Sequence, residues 1–172
     1  NAGGLPIHVS YPVSNVDTNF TWFNTASGPI YVQLWADQTN FNGANFAIGC
    51  TRPGDWTDLD RTSFTNIASN LSVNGFDTLR NSSGQRLGLI QRLGSTQGNA
   101  YSMEFLITPD SQAYHFGLYM TGTGLFHCWS FDFVTNGLPT VGQYPDIIDY
   151  RNADLTHNIV GGFQCSDRVI CV

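Results

Sequence analysis

The chain has 172 residues, of which 41% are hydrophobic and 13% aromatic, so it can build a packed core and is too apolar to be disordered. It has seven Arg, no Lys and a net charge of −6, which argues against nucleic-acid binding and excludes mechanisms that need a lysine. Glu104 is the single glutamate, so a catalytic glutamate pair is also excluded. No apolar run is long enough to span a membrane, and we expect one domain over residues 1–172.

Short runs of aromatic and β-branched residues alternate with Gly, Asn, Ser and Thr along the whole chain. This pattern predicts an all-β sandwich with Greek-key connections. In chain order the predicted strands are Ile7–Val13, Asn19–Phe23, Ile30–Trp35, Asn45–Ile48, Asn70–Val73, Arg86–Leu93, Tyr101–Ile107, Ala113–Met120, Leu125–Val134 and Asn158–Phe163. In Tyr101–Ile107 apolar residues alternate with others, which predicts a strand with one buried face. The apolar segment Leu5–Val13 is a candidate for pairing with a neighbouring molecule's sheet edge, which makes self-association possible.

Two local signals depart from plain strands. Phe64, Ile67, Ala68 and Leu71 have helical spacing, but Thr, Ser and Asn surround them, so we expect at most one short helix. The run Thr121-Gly122-Thr123-Gly124 predicts a tight hairpin. In that hairpin His115 and His127 would lie on opposite sides of the sheet and would not share a metal.

Between Tyr31 and Gly75, a strand that ends at Trp35 is followed by the turn Phe41-Asn42-Gly43 and by two further predicted strands, Asn45–Ile48 and Asn70–Val73. This order resembles a βγ-crystallin Greek-key motif. The resemblance implies a folded hairpin in which Gly43 takes a positive φ.

Calcium-binding members of that family carry two Asn or Asp, two variable residues and two hydroxyls just before the last strand. Here Asn66 and Ser69 match that pattern, whereas Thr65 and Asn70 depart from it. The resemblance therefore implies a possible Ca²⁺ site at Asn66 and Ser69. The departures favour weak binding or none, and we expect no obligatory cofactor.

The segment Gly54–Arg61 places carboxylates around a tryptophan. Trp56 is a candidate platform for a sugar ring, with Asp55 and Asp58 as acceptors for sugar hydroxyls, and Trp22 and Trp35 are further candidates for stacking. The same carboxylates are also candidate Ca²⁺ ligands. The alternative is a solvated loop with Trp56 tucked against the core.

Catalytic patterns are weak. A glycosidase needs two carboxyl groups across a cleft, and no pair of aspartates is singled out by its spacing. Glu104 lies alone on a predicted strand, and the chain has no G-x-S-x-G motif. We therefore assign no catalytic residue and expect a protein that is not an enzyme. A small aspartate-dependent polysaccharide hydrolase remains an alternative.

Four cysteines, Cys50, Cys128, Cys165 and Cys171, lack the spacing of a zinc site. Of the three possible connectivities we favour Cys50–Cys128 with Cys165–Cys171; the competing pairing joins Cys50 to the C-terminal cysteines. An even cysteine count and sequons at Asn19, Asn70 and Asn81 predict a secreted glycoprotein. No charged and apolar leader is present, so we expect any signal peptide to have been removed already.

The amide-rich, aromatic and weakly charged composition suits neutral, hydroxyl-rich ligands. It predicts a secreted recognition protein that binds a glycan or a cell surface, similar to a lectin or adhesin domain. The alternative in another class is a structural or self-assembling extracellular protein, βγ-crystallin-like and stabilised by calcium.

Overall fold

The structure is a computed structural model that describes residues 8–14, 18–23, 28–39, 43–52, 57–71 and 74–130. Within these ranges the chain forms the strands β1 (His8–Ser14), β2 (Thr18–Phe23), β3 (Ile30–Asp37), β4 (Asn45–Thr51), β5 (Asp58–Arg61), β6 (Thr65–Asn66), β7 (Asn74–Arg80), β8 (Arg86–Gln97), β9 (Ala100–Pro109), β10 (His115–Thr121) and β11 (Thr123–Ser130). A 3₁₀ turn at Ala68–Asn70 is the single helical element of the described part. The predicted all-β sandwich with at most one short helix is confirmed. None of the described helical segments is long and apolar enough to cross a membrane.

The strands form two antiparallel sheets. One has six strands in the order β1-β11-β3-β9-β8-β7, and the other has the order β2-β10-β4-β5, with β6 paired to β4. The pairs are nested along the chain, because β1 pairs with β11, β2 with β10, β3 with β9 and β4 with β5. This is the strand order of a jelly roll, a double-sheet fold made of two Greek keys. The β7–β8 hairpin adds two strands to one edge of the six-stranded sheet.

The core lies between the two sheets and takes alternate residues of β3 and β9, whereas β4 and β10 are buried at consecutive positions. In β3 the inward residues are Ile30, Val32, Leu34 and Ala36, all buried. The predicted alternation in β9 is confirmed, since Met103, Phe105 and Ile107 are buried while Leu106 is 38% exposed. The ring of Phe46 from the second sheet packs edge-on against the ring of Phe105 from the first, with 5.2 Å between the ring centroids, and this contact links the two sheets. Burial of each such side chain contributes roughly 1.5–3 kcal/mol.

The predicted hairpin at Gly122 is wrong. β10 lies between β2 and β4, whereas β11 lies between β1 and β3, so the chain crosses from one sheet to the other at Gly122. Gly122 has φ +96°, and a Cβ there would overlap the carbonyl oxygen of Gly43. Turn chemistry alone cannot distinguish a hairpin from this crossing, because both require a glycine with positive φ.

The segment that resembles a βγ-crystallin motif folds differently from the expectation. β3 and β4 lie in different sheets and do not form a hairpin with each other. Gly43 is absent from the glycines with positive φ; a Cβ there would instead lie 2.9 Å from the Thr123 hydroxyl oxygen. A glycine is therefore required at residue 43 because the chain segment that crosses between the sheets at Gly122 and Thr123 packs closely against it, and not because of a folded hairpin.

Between residues 57 and 80 the strands of the structure differ from the predicted ones. The predicted strand Asn70–Val73 is wrong at its start, because Asn70 ends the 3₁₀ turn and its side-chain amide donates to the carbonyl of Asn66 at 2.9 Å. Residues 72 and 73 lie outside the described part. β5 and β7 were not predicted, since β5 is almost entirely charged and β7 follows an Asn-rich segment. Charged residues in β5 are typical of an edge strand.

The expected Cys50–Cys128 bond is not formed, because both cysteines are free and buried. Cys50 lies in β4 and Cys128 in β11, in different sheets. Each thiol is packed among apolar core side chains, the usual environment of a free structural cysteine. The predicted Cys165–Cys171 bond lies outside the described residues, as does the predicted strand Asn158–Phe163.

We expect both buried thiols to be inert in the folded protein and to react only after unfolding. Burial, with the nearby Asp60 carboxylate as a second cause, raises the pKa of Cys50 to about 12, and burial also raises the pKa of Cys128. Thiols of unfolded chains ionise near pH 8.5. The folded state thus holds more protons above that pH, so the free energy of unfolding should fall as the pH rises from about 9 toward 12.

Thiol labelling followed by peptide mapping, with and without denaturant, measures this directly. Urea titrations at pH 7 and pH 10 of the wild type and of Cys50→Ala measure the pH dependence. Labelling of Cys50 or Cys128 in the native protein, or a stability that does not change with pH in this range, would contradict the prediction.

Candidate ligand-binding face

The outward face of the six-stranded sheet carries a cluster of aromatic and amide side chains; we call it the outer face. Strand pairing places Trp35 opposite His127 on one side and Ser102 on the other, and Gln33 between Trp129 and Glu104. The next row pairs Tyr31 with Leu106, which in turn lies opposite Gln91. These side chains point outward because their neighbours in each strand fill the core, as the period of two requires.

A chain of hydrogen bonds runs along β3 and fixes these groups. The indole Nε1 of Trp35 donates to Oε1 of Gln33 at 3.3 Å. Nε2 of Gln33 donates to Oε1 of Glu104 at 3.0 Å and to the hydroxyl of Tyr31 at 3.4 Å. Trp35 is therefore held in one orientation before any ligand arrives.

Tyr31 ends this chain as a donor. Burial, followed by its hydrogen bond to Glu104, raises the pKa of Tyr31 to about 12. The hydroxyl stays protonated at neutral pH and donates to the Glu104 carboxylate. Glu104 thus accepts from Tyr31 and Gln33 and acts as the centre of the network.

A depression of about 310 Å³ opens beside Trp35, and we call it the Trp35 depression. Its lining consists of Trp35, Ala36, Asp37, Gln97, Asn99, Ala100 and His127. Nδ2 of Asn99 donates to Oδ2 of Asp37 at 3.0 Å, and the backbone amide of Thr39 donates to Oδ1 of Asp37 at 2.9 Å. The β8–β9 turn is thereby held against the end of β3. The depression combines one aromatic ring with planar amide and carboxylate groups.

A smaller depression of about 150 Å³ lies farther along β3, lined by Tyr31, Gln91, Leu93, Glu104 and Leu106. Two of these lining residues, Leu93 and Leu106, form an apolar margin together with Phe76; the three side chains are 43%, 38% and 58% exposed. The hydrogen-bond network connects the two depressions, because Trp35 lines the first and Tyr31 and Glu104 line the second. From Trp35 to Tyr31 the strand rises about 13 Å, room for a short chain of linked groups.

Two of the four predicted ligand residues, Asp58 and Trp22, lie in the described part of the chain, and the structure does not bring these two together. Asp58 begins β5, where its Oδ1 accepts from the Tyr119 hydroxyl at 2.7 Å, and Trp22 lies in β2 opposite Gly117. β2 and β5 are separated by two strands of the second sheet, so their backbones lie about 14 Å apart. Asp55 and Trp56 lie outside the described residues. Asp58 instead contributes to a depression at the end of the sandwich, with Leu59, Asn81 and Tyr114 among its lining residues.

One of the two candidate calcium residues, Asn66, has a structural role in this fold. Nδ2 of Asn66 donates to the carbonyl of Ala44 at 2.8 Å, and its Oδ1 accepts from the amide of Ala68 at 2.9 Å. Asn66 thus anchors the 3₁₀ turn, and Ser69 is exposed on it. Among the described residues no three or more His, Cys, Asp or Glu side chains are grouped so that they could hold a metal ion.

From the sequence, Trp35 is a candidate for stacking, Glu104 for catalysis and His127 for metal binding, each on its own. Nothing in the sequence singles out Gln33, Tyr31, Asp37 or Asn99 as site residues. The alternation of β3 is the one local pattern that could have indicated this cluster, because it places Tyr31, Gln33, Trp35 and Asp37 on one face of the strand. The partner Glu104 lies 71 residues from Gln33 and becomes its neighbour through strand pairing alone.

No protein-family model matches the chain, and no curated protein sequence matches it. Among solved structures, the chain is similar to the CspB protease of Clostridium perfringens, with a TM-score of 0.49 and 9% sequence identity. The similarity covers 81% of this chain and 28% of that one, so the chain spans less than a third of the protease's length. A likeness at this level does not bear on what the protein does.

Proposed function

We propose that this protein is a secreted recognition protein that binds a neutral glycan on the outer face, with the Trp35 depression as its centre. The observation that carries the proposal is the fixed position of Trp35. Its indole is oriented by Gln33, and the hydrogen-bonded pair of Asp37 and Asn99 lines the same depression. An aromatic ring packs on the apolar face of a sugar while carboxylate and amide groups bond its hydroxyls.

The charges around the site support a neutral ligand. Asp37 and Glu104 bring carboxylates to the two depressions, and no Arg is among the lining residues of either. Arg92 pairs with Asp77 and Arg86 with Asp110, away from both depressions. A phosphate or a polyanion would therefore meet acidic groups without a paired cation.

The placement of these carboxylates supports binding rather than hydrolysis. Asp37 pairs with Ala100, four residues from Glu104 along β9. Their backbones are thus about 14 Å apart, since a strand rises about 3.4 Å per residue. Glu104 accepts a hydrogen bond from Gln33, and Asp37 accepts one from Asn99, so each carboxylate is held by its own partner. This arrangement differs from the facing carboxyl pair of a glycosidase, whose members lie roughly 5–9.5 Å apart across a cleft.

A glycan array probed with the purified, labelled chain tests the proposal. We expect binding to a limited set of neutral oligosaccharides, unchanged by a calcium chelator because none of the lining groups is assigned to a metal. Binding to no neutral glycan, or binding that follows sulfated or sialylated glycans, would contradict it.

Self-assembly is a second candidate function, and the apolar margin favours it. Leu93 of β8 lies diagonally opposite both Phe76 of β7 and Leu106 of β9, and all three are substantially exposed; Gln91 lies between Phe76 and Leu106. Exposed apolar groups of this kind often mark interfaces. A βγ-crystallin relationship would belong to this candidate, but the separation of β3 and β4 into two sheets does not support it.

If the apolar margin mediates assembly, the chain should form dimers or larger species at micromolar concentration, and Phe76→Ser should abolish them. Sedimentation velocity over a concentration series measures this. A second variant, Leu125→Ser, removes an equally exposed leucine on β11, 45% exposed and outside the margin, and should leave assembly unchanged. A wild type that stays monomeric over the series would remove this candidate.

A further inference from the structure

The three sequons of the chain fall in very different places in the fold. Asn81-Ser82-Ser83 forms the turn between β7 and β8, Asn70-Leu71-Ser72 begins at the end of the 3₁₀ turn, and Asn19-Phe20-Thr21 lies within β2. N-glycosylation joins a sugar to the Nδ2 atom of the asparagine and needs space outside the protein for the attached chain. The surroundings of each Nδ2 therefore decide which sequon a folded chain can carry.

Asn81 offers its Nδ2 at the tip of an exposed hairpin. Its Oδ1 accepts from the amide of Ser83 at 3.1 Å, from the Ser83 hydroxyl at 2.7 Å and from the amide of Gln85 at 3.0 Å. Its Nδ2 donates to the exposed Gln85 side chain at 3.1 Å. Since glycosylation replaces one of the two Nδ2 hydrogens and leaves Oδ1 untouched, the modified residue retains the three bonds to Oδ1 that shape the turn.

Space is also available beside this hairpin. Ser82, Ser83 and Gly84 are exposed, and Asn81 borders the end depression of about 320 Å³, which it shares with Leu59 and Tyr114. An attached sugar can therefore lie in the depression or extend into solvent without displacing the core.

Asn70 has the opposite surroundings. It is 8% exposed, its Nδ2 donates to the carbonyl of Asn66 at 2.9 Å, and its Oδ1 accepts from Nε of Arg92 at 3.4 Å. A sugar on Nδ2 would have to displace Asn66 or the strand β8 beside it. The folded chain cannot carry a glycan at this sequon.

We propose that Asn81 is the site of N-glycosylation and that Asn70 is not used. In the transfer, Nδ2 loses a proton and forms a C–N bond to the anomeric carbon of an oligosaccharide carried by a lipid diphosphate. The bond between that carbon and the diphosphate breaks, and the lipid diphosphate leaves with the electron pair. The proposal makes no assignment for Asn19.

The modified hairpin lies at the opposite end of β8 from the Trp35 depression. β8 has 12 residues between the Asn81 turn and the Gln97 side of that depression, a span of about 35 Å. A glycan on Asn81 should therefore leave ligand binding at the outer face unchanged, and the two proposals can fail independently.

The test is expression of the full chain behind a signal peptide in insect cells, followed by glycopeptide mapping of the secreted, folded protein. We expect a glycan on Asn81 and none on Asn70. Asn81→Gln and Ser83→Ala should each lose the band shift that an endoglycosidase removes, whereas Ser83→Thr, which keeps the sequon, should retain it. Glycopeptide mapping assigns any remaining shift to Asn19.

An unmodified Asn81 in secreted wild-type protein would overturn the proposal, and so would a glycan on Asn70 in the folded fraction. If Asn81→Gln fails to fold, the Ser83→Ala and Ser83→Thr pair still decides the outcome, because both leave Asn81 in place.

Discussion

Trp35→Ala should weaken glycan binding about 30-fold, which corresponds to a loss of about 2 kcal/mol. The substitution removes the ring that packs on the sugar and leaves the Gln33 oxygen without its donor. Trp35→Phe should have a smaller effect, because it retains an aromatic face and loses the indole N–H alone. Isothermal titration with the best ligand from the array measures both.

Phe76→Ala is the matched control for Trp35→Ala. Phe76 is an aromatic residue on the same outer face, 58% exposed, but it lies in β7 and lines neither depression. Its removal should change the affinity less than twofold. Equal losses in the two variants, or an unchanged affinity in Trp35→Ala, would remove Trp35 from the binding site.

Gly122→Ala should destabilise the fold by about 3–5 kcal/mol, among the largest effects expected of one methyl group. Its φ of +96° disfavours any Cβ, and the added atom would overlap the Gly43 carbonyl oxygen, which is backbone and cannot rotate away. Because the chain changes sheets at this residue, the strain falls on β10, β11 and the segment before β4 together.

Gly98→Ala is the control for this prediction. Gly98 also has a positive φ, +60°, but a Cβ there would meet no atom within 4 Å. The conformational cost alone should be about 1 kcal/mol. Urea unfolding of both variants measures the difference, and equal destabilisation would mean that the contact with Gly43 has no energetic weight.

Most of the strands could be predicted from local pattern. The alternation of apolar residues in β3 and around Phe105 in β9 indicates burial on one face, and the apolar run of β10 indicates burial on both; each signal depends on residues that are neighbours in sequence. The pairing of strands could not be predicted, because the Gly122 turn has the same local chemistry in a hairpin and in a crossing between sheets. β5, whose sequence is DLDR, has low intrinsic β propensity and becomes a strand by pairing with β4.

The candidate site likewise combines residues that the local pattern predicts with residues that strand pairing brings to it. Tyr31, Gln33 and Trp35 are visible as one face of a predicted strand, but their function depends on Glu104, His127 and Asn99. Those residues reach β3 through the nested pairing of the jelly roll and through the β8–β9 turn. By contrast, the carboxylates around Trp56 are conspicuous in sequence because they are adjacent, and Asp55 and Trp56 themselves lie outside the described residues.

The most direct test of the account is a ¹⁵N-resolved NMR titration of the full chain with a neutral oligosaccharide that the array selects. The side-chain Nε1–H signal of Trp35 is assigned by its loss in Trp35→Phe. We expect the largest shifts at that indole and at the amides of Asp37, Asn99 and His127. Shifts centred instead on Thr57 and Asp58, or spread evenly over both sheets, would contradict a binding site on the outer face.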